Sequence, residues 1–433
     1  MSDRTDRRRF LRNVFAGTAA VTAWPAAPGA RDLAVGESKP FAATWNAARS
    51  EQERWQAVRE QFLLEAGYTY LNTAGLGPSP LPVLDEVDEV WRELELHCET
   101  GHGRRDEARQ VICAFVGCAE DELALTRSAT EAMNLVARGI NLGAGAEVLM
   151  TTHEHPGGAL PWFGVAEDHH VSIKTFAPGS GGDDTLERLE AALTSRTRVV
   201  MVSHVTCTLG TVLPVKEIAE LCRRRGILSV IDGAQAPGQI PVDLRDLGCD
   251  FYVASGHKWL LGPKGTGFLH VSNAMLERWR PSYVGAYSDT GFDLASGRFQ
   301  RRREASASEY GTRNTPLVLG FGAAVEFLAT IGHDRIVARS ASLARLLRSH
   351  LETIDGVELL TPTPPATSAA IITFRLPESG GDPWDWSNLL RREHGIRVRP
   401  VGEAGLMAVR ASTHVFNGED EVDGFAEVLR HLV

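Results

Sequence analysis

Cysteine is scarce in this chain, with six residues among 433 and no CxxC pair. So few thiols in so long a chain exclude a disulfide framework and give no metal-binding signature. His153 and His155 could each bind a metal, but no third candidate ligand is adjacent to them in the sequence. We therefore predict no metal site.

Excess basic charge is also absent, since the formal net charge at pH 7 is −10. A chain with this balance lacks the basic footprint of a nucleic-acid-binding protein, so we predict no nucleic-acid partner. The local exception is RFQRRR at 298–303, which we interpret as a solvated face, with an anion contact as the alternative. No segment is long and apolar enough to cross a bilayer, so we predict no membrane partner.

The first 38 residues have the composition of a signal and linker. The stretch DRRRFLRN combines Arg7 and Arg8 with Phe-Leu shortly after, and the weakly apolar VFAGTAAVTAW follows. This pattern resembles a twin-arginine export signal and predicts a periplasmic or extracellular protein. The alternative is a disordered basic tail on a cytoplasmic protein, because a clean cleavage site is missing.

From Tyr68 onward, short apolar runs alternate with helical patterns. The strand-like runs are rich in Val and Ile: AEVLMT (146–151), RVVMVSHV (198–205), GILSVID (226–232), DFYVAS (250–255) and GTGFLHV (265–271). Helical spacing occupies 129–140, 184–193 and 215–226 between them. This alternation predicts an α/β fold with a large domain whose mostly parallel sheet is covered by helices on both faces.

The pattern changes after GTRNTP (311–316). We predict helices over 317–332 and 335–354, a strand over 369–376, a helix over 384–395 and a final helix from about Glu419. These elements form a smaller C-terminal α+β domain at 316–433, and the large domain with its N-terminal segment covers 39–315. An amphipathic helix is predicted over 44–65.

Two charged residues stand at unusual positions beside these strands. Asp232 ends the apolar run GILSVID, and its ordinary structural explanation is that it is a turn residue or helix cap. Lys258 in SGHKWLLGPKGTGFL follows another strand directly, although lysine is rarely buried without a partner. A desolvated lysine is a carbonyl-capturing amine, and ligands bind at the carboxyl ends of strands in open α/β sheets. Together the two residues predict a site for a cationic ligand with a carbonyl group.

DGAQ followed by SGHKWLLGPKGTGFL resembles the pyridoxal 5'-phosphate (PLP) motif of class V aminotransferases. This fold-type-I group of PLP-dependent transferases includes cysteine desulfurases and isopenicillin N epimerases. The resemblance runs from YLNTAGLGPSP (70–80) to VRASTHVFNGEDEVD (409–423) and covers most of the chain. It implies PLP as cofactor and a homodimer with shared active sites.

The resemblance assigns the residues that hold the cofactor ring. Lys258 would bind PLP as a Schiff base and then move the α-proton of the substrate. Asp232 would pair with the pyridinium nitrogen and keep the ring an electron sink. Gln235 would donate to the ring oxygen, and His155 in EHPGGALPW would lie over the ring.

The phosphate positions of the family match RSATEAMNLVA (127–137) and the lysine motif. Thr130 and the amide of Ala129 open a helix there, and helix N-termini bind anions. Ser255 and His257 would complete the phosphate site. Plain N-capping is the alternative for the helix start.

Arg410 in VRAS matches the arginine that binds the substrate α-carboxylate in the family. Arg375, Arg397 and Arg399 are interpreted as surface ion-pair residues.

Two departures from the desulfurase pattern narrow the chemistry. Desulfurases carry a thiol shortly before the counterpart of Arg410, whereas the last cysteine here is Cys249. Cys207 stands where desulfurases carry an asparagine, so Thr206 is the replacement donor that we expect near the substrate. Cys207 itself is interpreted as a small core residue rather than a reactive thiol.

The favoured function is an isopenicillin N epimerase-like reaction at the α-carbon of an amino acid or derivative, by epimerisation or transamination. One alternative is a C–S or Cβ lyase that acts on a cysteine-type substrate. The other is a non-enzymatic PLP-fold binding protein. The dimer is expected to exchange residues from 283–290 or 309–314, and Arg301–Arg303 lies between these segments.

Overall fold

The computed structural model describes residues 41–179, 184–363 and 368–433. The predicted export signal at residues 1–38 therefore lies outside the described residues. Residues Phe41–Val433 form one compact unit. The boundary expected at 315/316 stays a prediction, although a new helix does begin at Thr315.

A seven-stranded sheet lies at the centre of the fold. Its strands are β2 (Leu123–Thr126), β3 (Glu147–Thr151), β4 (Ser172–Phe176), β5 (Thr197–Ser203), β6 (Leu228–Asp232), β7 (Phe251–Ser255) and β8 (Gly267–Val271). The strand order is β2-β8-β7-β6-β5-β3-β4, and only β8 runs antiparallel to its neighbours. The α/β fold with a mostly parallel sheet is thus confirmed, with the predicted strands at β3 and β5–β8.

Both faces of this sheet are buried. Val230 and Ile231 follow each other in β6, point to opposite faces and are fully buried in separate apolar clusters. Parallel strands covered on both sides need such continuous apolar runs. Ser203, Asp232 and Ser255 end three neighbouring parallel strands, so they lie along one edge of the sheet.

The helices of the N-terminal and central parts are α1 (Phe41–Ala47), α2 (Glu51–Arg59), α3 (Leu81–His97), α4 (Arg105–Val116), α5 (Ala129–Gly139), α6 (Pro156–His169), α7 (Thr185–Ala192), α8 (Val215–Arg225), α9 (Leu244–Leu247) and α10 (Asn273–Leu276). The single helix predicted over 44–65 is wrong. The chain forms α1 and α2 instead, because Ser50 caps α2 by accepting a hydrogen bond from the Glu53 amide at 3.1 Å.

A second, four-stranded sheet forms from the C-terminal part. Its strands are β11 (Glu358–Leu359), β12 (Ile371–Arg375), β14 (Arg399–Val401) and β15 (Ala408–Ser412), in the order β11-β12-β15-β14 with all neighbours antiparallel. The helices of this part are α11 (Thr315–Ile331), α12 (His333–Leu351), α13 (Pro383–His394) and α14 (Glu419–Leu432). The four helices and β12 agree with the predicted elements, whereas β11, β14 and β15 were not predicted.

Two short pairings complete the fold. The strand β1 (Thr69–Tyr70) pairs in parallel with β13 (Ile396–Arg397), so the start of the family-like region lies beside the C-terminal part. The strands β9 (Asp289–Asp293) and β10 (Arg298–Arg301) form an exposed antiparallel hairpin. Arg298 and Arg303 are exposed there and pair with acidic side chains, as a solvated face requires.

Within the described residues, α11 and α12 reach the length and apolarity of a membrane span only when taken together, and they are bent by 81° relative to each other. No single described helix does so.

Candidate active site

A cavity of about 260 Å³ lies at the carboxyl ends of β5, β6 and β7, and one residue each from β14 and β15 also lines it. Its lining residues are Ala74, Gly75, Ser128, Ala129, Thr130, His155, Gly157, Gly158, Ser203, Val205, Cys207, Asp232, Ala234, Gln235, Ser255, His257, Lys258, Arg399 and Arg410. All of the predicted site residues except Thr206 are in this set. Two wider clefts, of about 980 and 730 Å³, contain none of them.

Lys258 follows β7 by one short turn and is 9% exposed. Burial lowers the pKa of its amine, and the negative charge of Asp232 partly offsets that shift. Gly77 approaches this turn closely, since its amide donates to the His257 carbonyl at 2.7 Å and a Cβ there would lie 2.1 Å from the Lys258 carbonyl oxygen. The segment around Gly77 therefore supports this turn. The Lys258 side chain lines the cavity, and burial lowers the pKa of its amine.

Asp232 ends β6 and is 6% exposed. Its Oδ1 accepts a hydrogen bond from the Ala234 amide at 2.9 Å, and among the described residues no donor reaches Oδ2. Burial raises the pKa of this carboxyl group. A Cβ on Gly158 would lie 2.6 Å from Oδ2, so the glycine leaves that oxygen accessible to the cavity. A cationic ring nitrogen is a fitting partner for it.

Gln235 lies on the turn after β6 with both ends of its amide already bonded. Its Oε1 accepts from the Trp259 indole at 2.7 Å, and its Nε2 donates to the Ala74 carbonyl at 2.8 Å. One N–H remains for a ligand, because a side-chain amide has two. The predicted donation to a ring oxygen needs only that one.

Two helix N-termini meet at the cavity. Ser128 caps α5 by accepting from the Glu131 amide at 3.1 Å, and the Ala129 amide donates to Ser255 at 3.3 Å. A Cβ on Gly157, at the start of α6, would lie 2.4 Å from Thr130 Oγ1. The missing side chain thus lets the two helix starts converge, and such ends attract an anion.

His155 and His257 flank this region as neutral rings. His155 caps α6, and its Nδ1 accepts from the Gly157 amide at 3.0 Å. Burial, assisted by the charge of Lys258, lowers the pKa of His155 to about 4. Burial also lowers the pKa of His257, whose Nδ1 is buried without a hydrogen-bond partner. Both rings are therefore uncharged near neutral pH.

Arg410 supplies a buried positive charge, since the residue is only 1% exposed. Its Nη1 donates to the Cys207 carbonyl at 2.6 Å and its Nη2 to Asn72 Oδ1 at 3.4 Å, while Nε is buried without a partner. Burial, together with the charge of Arg399, lowers its pKa to about 10. Within the described ranges no carboxylate forms an ion pair with Arg410.

The structure places Thr206 outside the cavity lining, because its hydroxyl accepts from the Thr211 amide at 3.0 Å within a turn. Its predicted contact with substrate therefore has no support in the geometry. Cys207 does line the cavity, and burial raises the pKa of its thiol to about 11. A thiol that stays protonated agrees with a small packing residue.

Arg399 was missed as a site residue. It forms the ion pair expected from the sequence, with Glu403, but its side chain also lines the cavity. Arg375 does lie at the surface and pairs with Glu358 at 2.5 Å. Arg397 lies on β13 and has no ion pair among the described residues. No local signal separates these arginines, because only the pairing of β14 with β15 brings Arg399 to the site.

His153 is not at a metal centre in the described part of the chain, where no three His, Cys, Asp or Glu side chains converge. Its Nδ1 lies 2.8 Å from Thr208 Oγ1.

Comparison with known proteins gives a consistent set of relatives. The family described as aminotransferase class-V matches residues 70–425. The isopenicillin N epimerase of Amycolatopsis lactamdurans is 35% identical over 402 residues, which cover 87% of this chain and 98% of the relative. A probable cysteine desulfurase of Methanothermobacter thermautotrophicus is 30% identical, with 88% and 98% covered. The apo cysteine desulfurase from Thermococcus onnurineus NA1 has a TM-score of 0.80 and 26% identity, with 87% and 98% covered.

Proposed function

This chain belongs to the aminotransferase class V family and is a PLP-dependent enzyme, and we propose that it acts at the α-carbon of an amino acid or amino-acid-derived substrate, by epimerisation or transamination. Support comes from one observation above all. The buried Lys258 amine, whose pKa burial lowers, and the Arg410 guanidinium, which forms no ion pair among the described residues, line the same cavity. An amine that can exchange protons and a cation that can bind a carboxylate are the two groups that an α-amino acid requires.

The residues present fit the cofactor. Lys258 would hold its carbonyl carbon, and the accessible Oδ2 of Asp232 would receive the ring nitrogen. The converging starts of α5 and α6, with Thr130 and His257, would hold its phosphate. When bound, PLP supplies an electron sink for the charge that develops at the substrate α-carbon.

The protein's own groups have separate tasks around that carbon. The Lys258 amine removes a proton from the α-carbon or returns one to it, and burial lowers its pKa, which favours the unprotonated form. Arg410 fixes the substrate through its α-carboxylate. Neutral His155 adds no charge that would compete with the ammonium of the incoming amino acid. Asp232 is buried, which would exclude water from a ring nitrogen held there.

We favour epimerisation or transamination over a sulfur transfer in which a cysteine of this chain carries the sulfur. The segment between β14 and β15, residues 402–407, contains no cysteine, and the last cysteine, Cys249, is buried beside β7. A lyase that acts on a cysteine-type substrate is the second candidate, because the relatives include cysteine desulfurases. Such a lyase would not need a protein persulfide.

A substrate panel separates these reactions. The purified protein would be incubated with L- and D-amino acids, with and without a keto acid, while chirality, keto acid, ammonia and sulfide are measured together. Inversion of chirality or keto-acid-dependent amino transfer is the expected result. Sulfide or ammonia release without either would favour the lyase, and no change in any substrate would contradict both enzymatic functions.

We also propose a homodimer in which neighbouring subunits complete each other's sites. The hairpin β9–β10 and its flanks expose large apolar side chains, including Phe292 at 66% and Leu294 at 88%. An isolated two-stranded hairpin is marginally stable in water, and an apolar surface of this kind is typical of a contact region. A second copy of this chain is the occupant that we propose.

A further inference from the structure

Arg399 and Arg410 are direct cross-strand partners on β14 and β15. Directly opposite residues of an antiparallel pair project from the same face of the sheet, with Cα atoms about 4.5–5.5 Å apart. Both side chains line the same cavity. Like charges in this arrangement destabilise a sheet. An anion between or beside the two guanidiniums would therefore stabilise the pair.

The hydrogen bonds of the two guanidiniums leave free donors. Arg410 has Nη1 and Nη2 engaged by Cys207 and Asn72, and its Nε is buried without a partner. Arg399 binds Glu403 through Nη2, and its Nη1 is buried without a partner. A buried N–H without an acceptor is costly, so each arginine has an N–H that is suited to a ligand.

Glu403 is the carboxylate that balances this pair. Its side chain is 19% exposed and that of Arg399 is 26% exposed, so neither is a free surface charge. Arg399 and a hydrogen bond from it keep the pKa of Glu403 low despite burial. Glu403 lies on the 3-10 turn Glu403–Gly405, which the left-handed Ala404 at φ 54° closes. The two arginines and Glu403 together carry one excess positive charge.

We propose that a single substrate carboxylate binds jointly to Arg399 and Arg410, and that Glu403 orients Arg399 and limits the site to one carboxylate. The proposal deepens the function given above and rests on it for the nature of the substrate. One carboxylate neutralises the excess charge and can accept from both free N–H groups. A second acidic group would have to displace Glu403 or face it, so substrates with a neutral side chain are favoured over dicarboxylic ones.

Binding of simple carboxylates tests this without turnover. Isothermal titration calorimetry on the purified, cofactor-containing protein would compare propionate with glutarate. Propionate is expected to bind to the wild type more tightly than glutarate. Arg399→Gln should weaken propionate binding about tenfold or more, since it removes a charge-assisted hydrogen bond. Arg399→Lys keeps the positive charge but loses the planar guanidinium, so its propionate affinity should lie between those of the wild type and Arg399→Gln.

Glu403→Gln tests the limit to one carboxylate. This variant leaves a second uncompensated arginine, so the affinity for glutarate relative to propionate should rise about tenfold. Arg391→Gln is the control, because Arg391 is exposed on α13 of the same C-terminal part and its side chain bonds to Asn388 on that helix. It should leave both affinities unchanged.

Three results would overturn the proposal: no propionate binding to the wild type, unchanged propionate affinity in both Arg399 variants, or unchanged preference in Glu403→Gln. Circular dichroism of each variant shows whether it is folded. If Arg399→Gln is not folded, the propionate affinity of Arg399→Lys tests the proposal. Because no turnover is measured, an inactive protein that binds propionate as described would contradict the proposed function and leave this inference standing.

Discussion

Asp232 and Lys258 face one cavity from the ends of neighbouring parallel strands, and burial acts on the two in opposite directions. It raises the pKa of the Asp232 carboxyl group and lowers the pKa of the Lys258 amine, while the charge of each partly restores the other. Burial thus favours the uncharged form of each group. A cationic ring held by Asp232 and a carbonyl held by Lys258 would stabilise both at once.

Lys258→Ala should abolish covalent attachment of the cofactor, because it removes the buried amine at the cavity. Borohydride reduction followed by peptide mass spectrometry would measure the adduct in wild type and variant. Lys264→Ala is the control, since Lys264 lies in the same sequence motif but is exposed, and it should keep the adduct. A reducible adduct that persists in Lys258→Ala would contradict the assignment.

Asp232→Asn should leave the fold and the covalent attachment intact but reduce kcat. The amide cannot hold a ring nitrogen in its protonated form, so the loss should be roughly a hundredfold to thousandfold, as for other preorganised electrostatic contacts. Steady-state kinetics on the substrate identified by the panel checks this, with thermal unfolding as the control for folding. Turnover close to wild type would mean that the ring is not activated through Asp232.

Glu154→Gln should stabilise the protein more at high pH than at low pH. Glu154 is buried and bonded to Thr151 and Ser203, and burial raises its pKa from 4.5 to about 7. Between those values the folded chain keeps a proton that the unfolded chain releases, so the wild type loses stability as pH rises through this window. Glutamine mimics the protonated form and does not ionise.

The expected difference between the two proteins grows by on the order of 2–3 kcal/mol from about pH 5 to about pH 8. Urea unfolding of both proteins at each pH measures it. A difference that is the same at both pH values would show that Glu154 ionises normally in the folded state.

The hairpin β9–β10 should mediate dimer formation. Sedimentation velocity should give a dimer for the wild type, and Phe292→Glu should shift the equilibrium toward monomer by placing a charge in the apolar contact. Glu167→Gln, a change at an exposed residue of α6, serves as the control. A fully active wild-type monomer would rule out the shared sites that we propose.

Export is proposed to depend on Arg7 and Arg8. The twin-arginine route carries folded cargo, which suits an enzyme that must fold around a cofactor first. Fractionation of the native host should find the wild type outside the cytoplasm and the Arg7→Lys/Arg8→Lys variant inside it. If the wild type also stays inside and uncleaved, the leader is only a basic tail.

The sequence predicted those parts of the site that are close to a strand end. Asp232, Ser255 and Lys258 follow apolar runs directly, so the periodicity that predicts the strands also predicts where these side chains go. In the central sheet, strands β2 and β4 were not predicted. Ser172 and Thr175 of β4 are exposed at a sheet edge, so this strand lacks a continuous apolar run, and β2 reaches the sheet only through its antiparallel pairing with β8.

The remaining part of the site depends on strand register and turn hydrogen bonds, which the apolar periodicity does not encode. Arg399 enters the cavity only through its register with Arg410, which no local pattern encodes. Thr206 was predicted from a correspondence of positions, but its hydroxyl is used by the turn that ends at Thr211. In both cases the pairing with a later segment of the chain decides where the side chain points.

His155 carries a consequence for how variants at this site are interpreted. Its Nδ1 closes the first turn of α6, so the ring is part of the scaffold as well as part of the cavity wall. Alanine at this position removes a helix cap worth about 1 kcal/mol together with the imidazole, and lost turnover would then have two inseparable origins. Asparagine keeps a capping oxygen and removes only the aromatic ring. A comparison of the alanine and asparagine variants at position 155 therefore separates a loss of turnover caused by the missing ring from one caused by the missing helix cap.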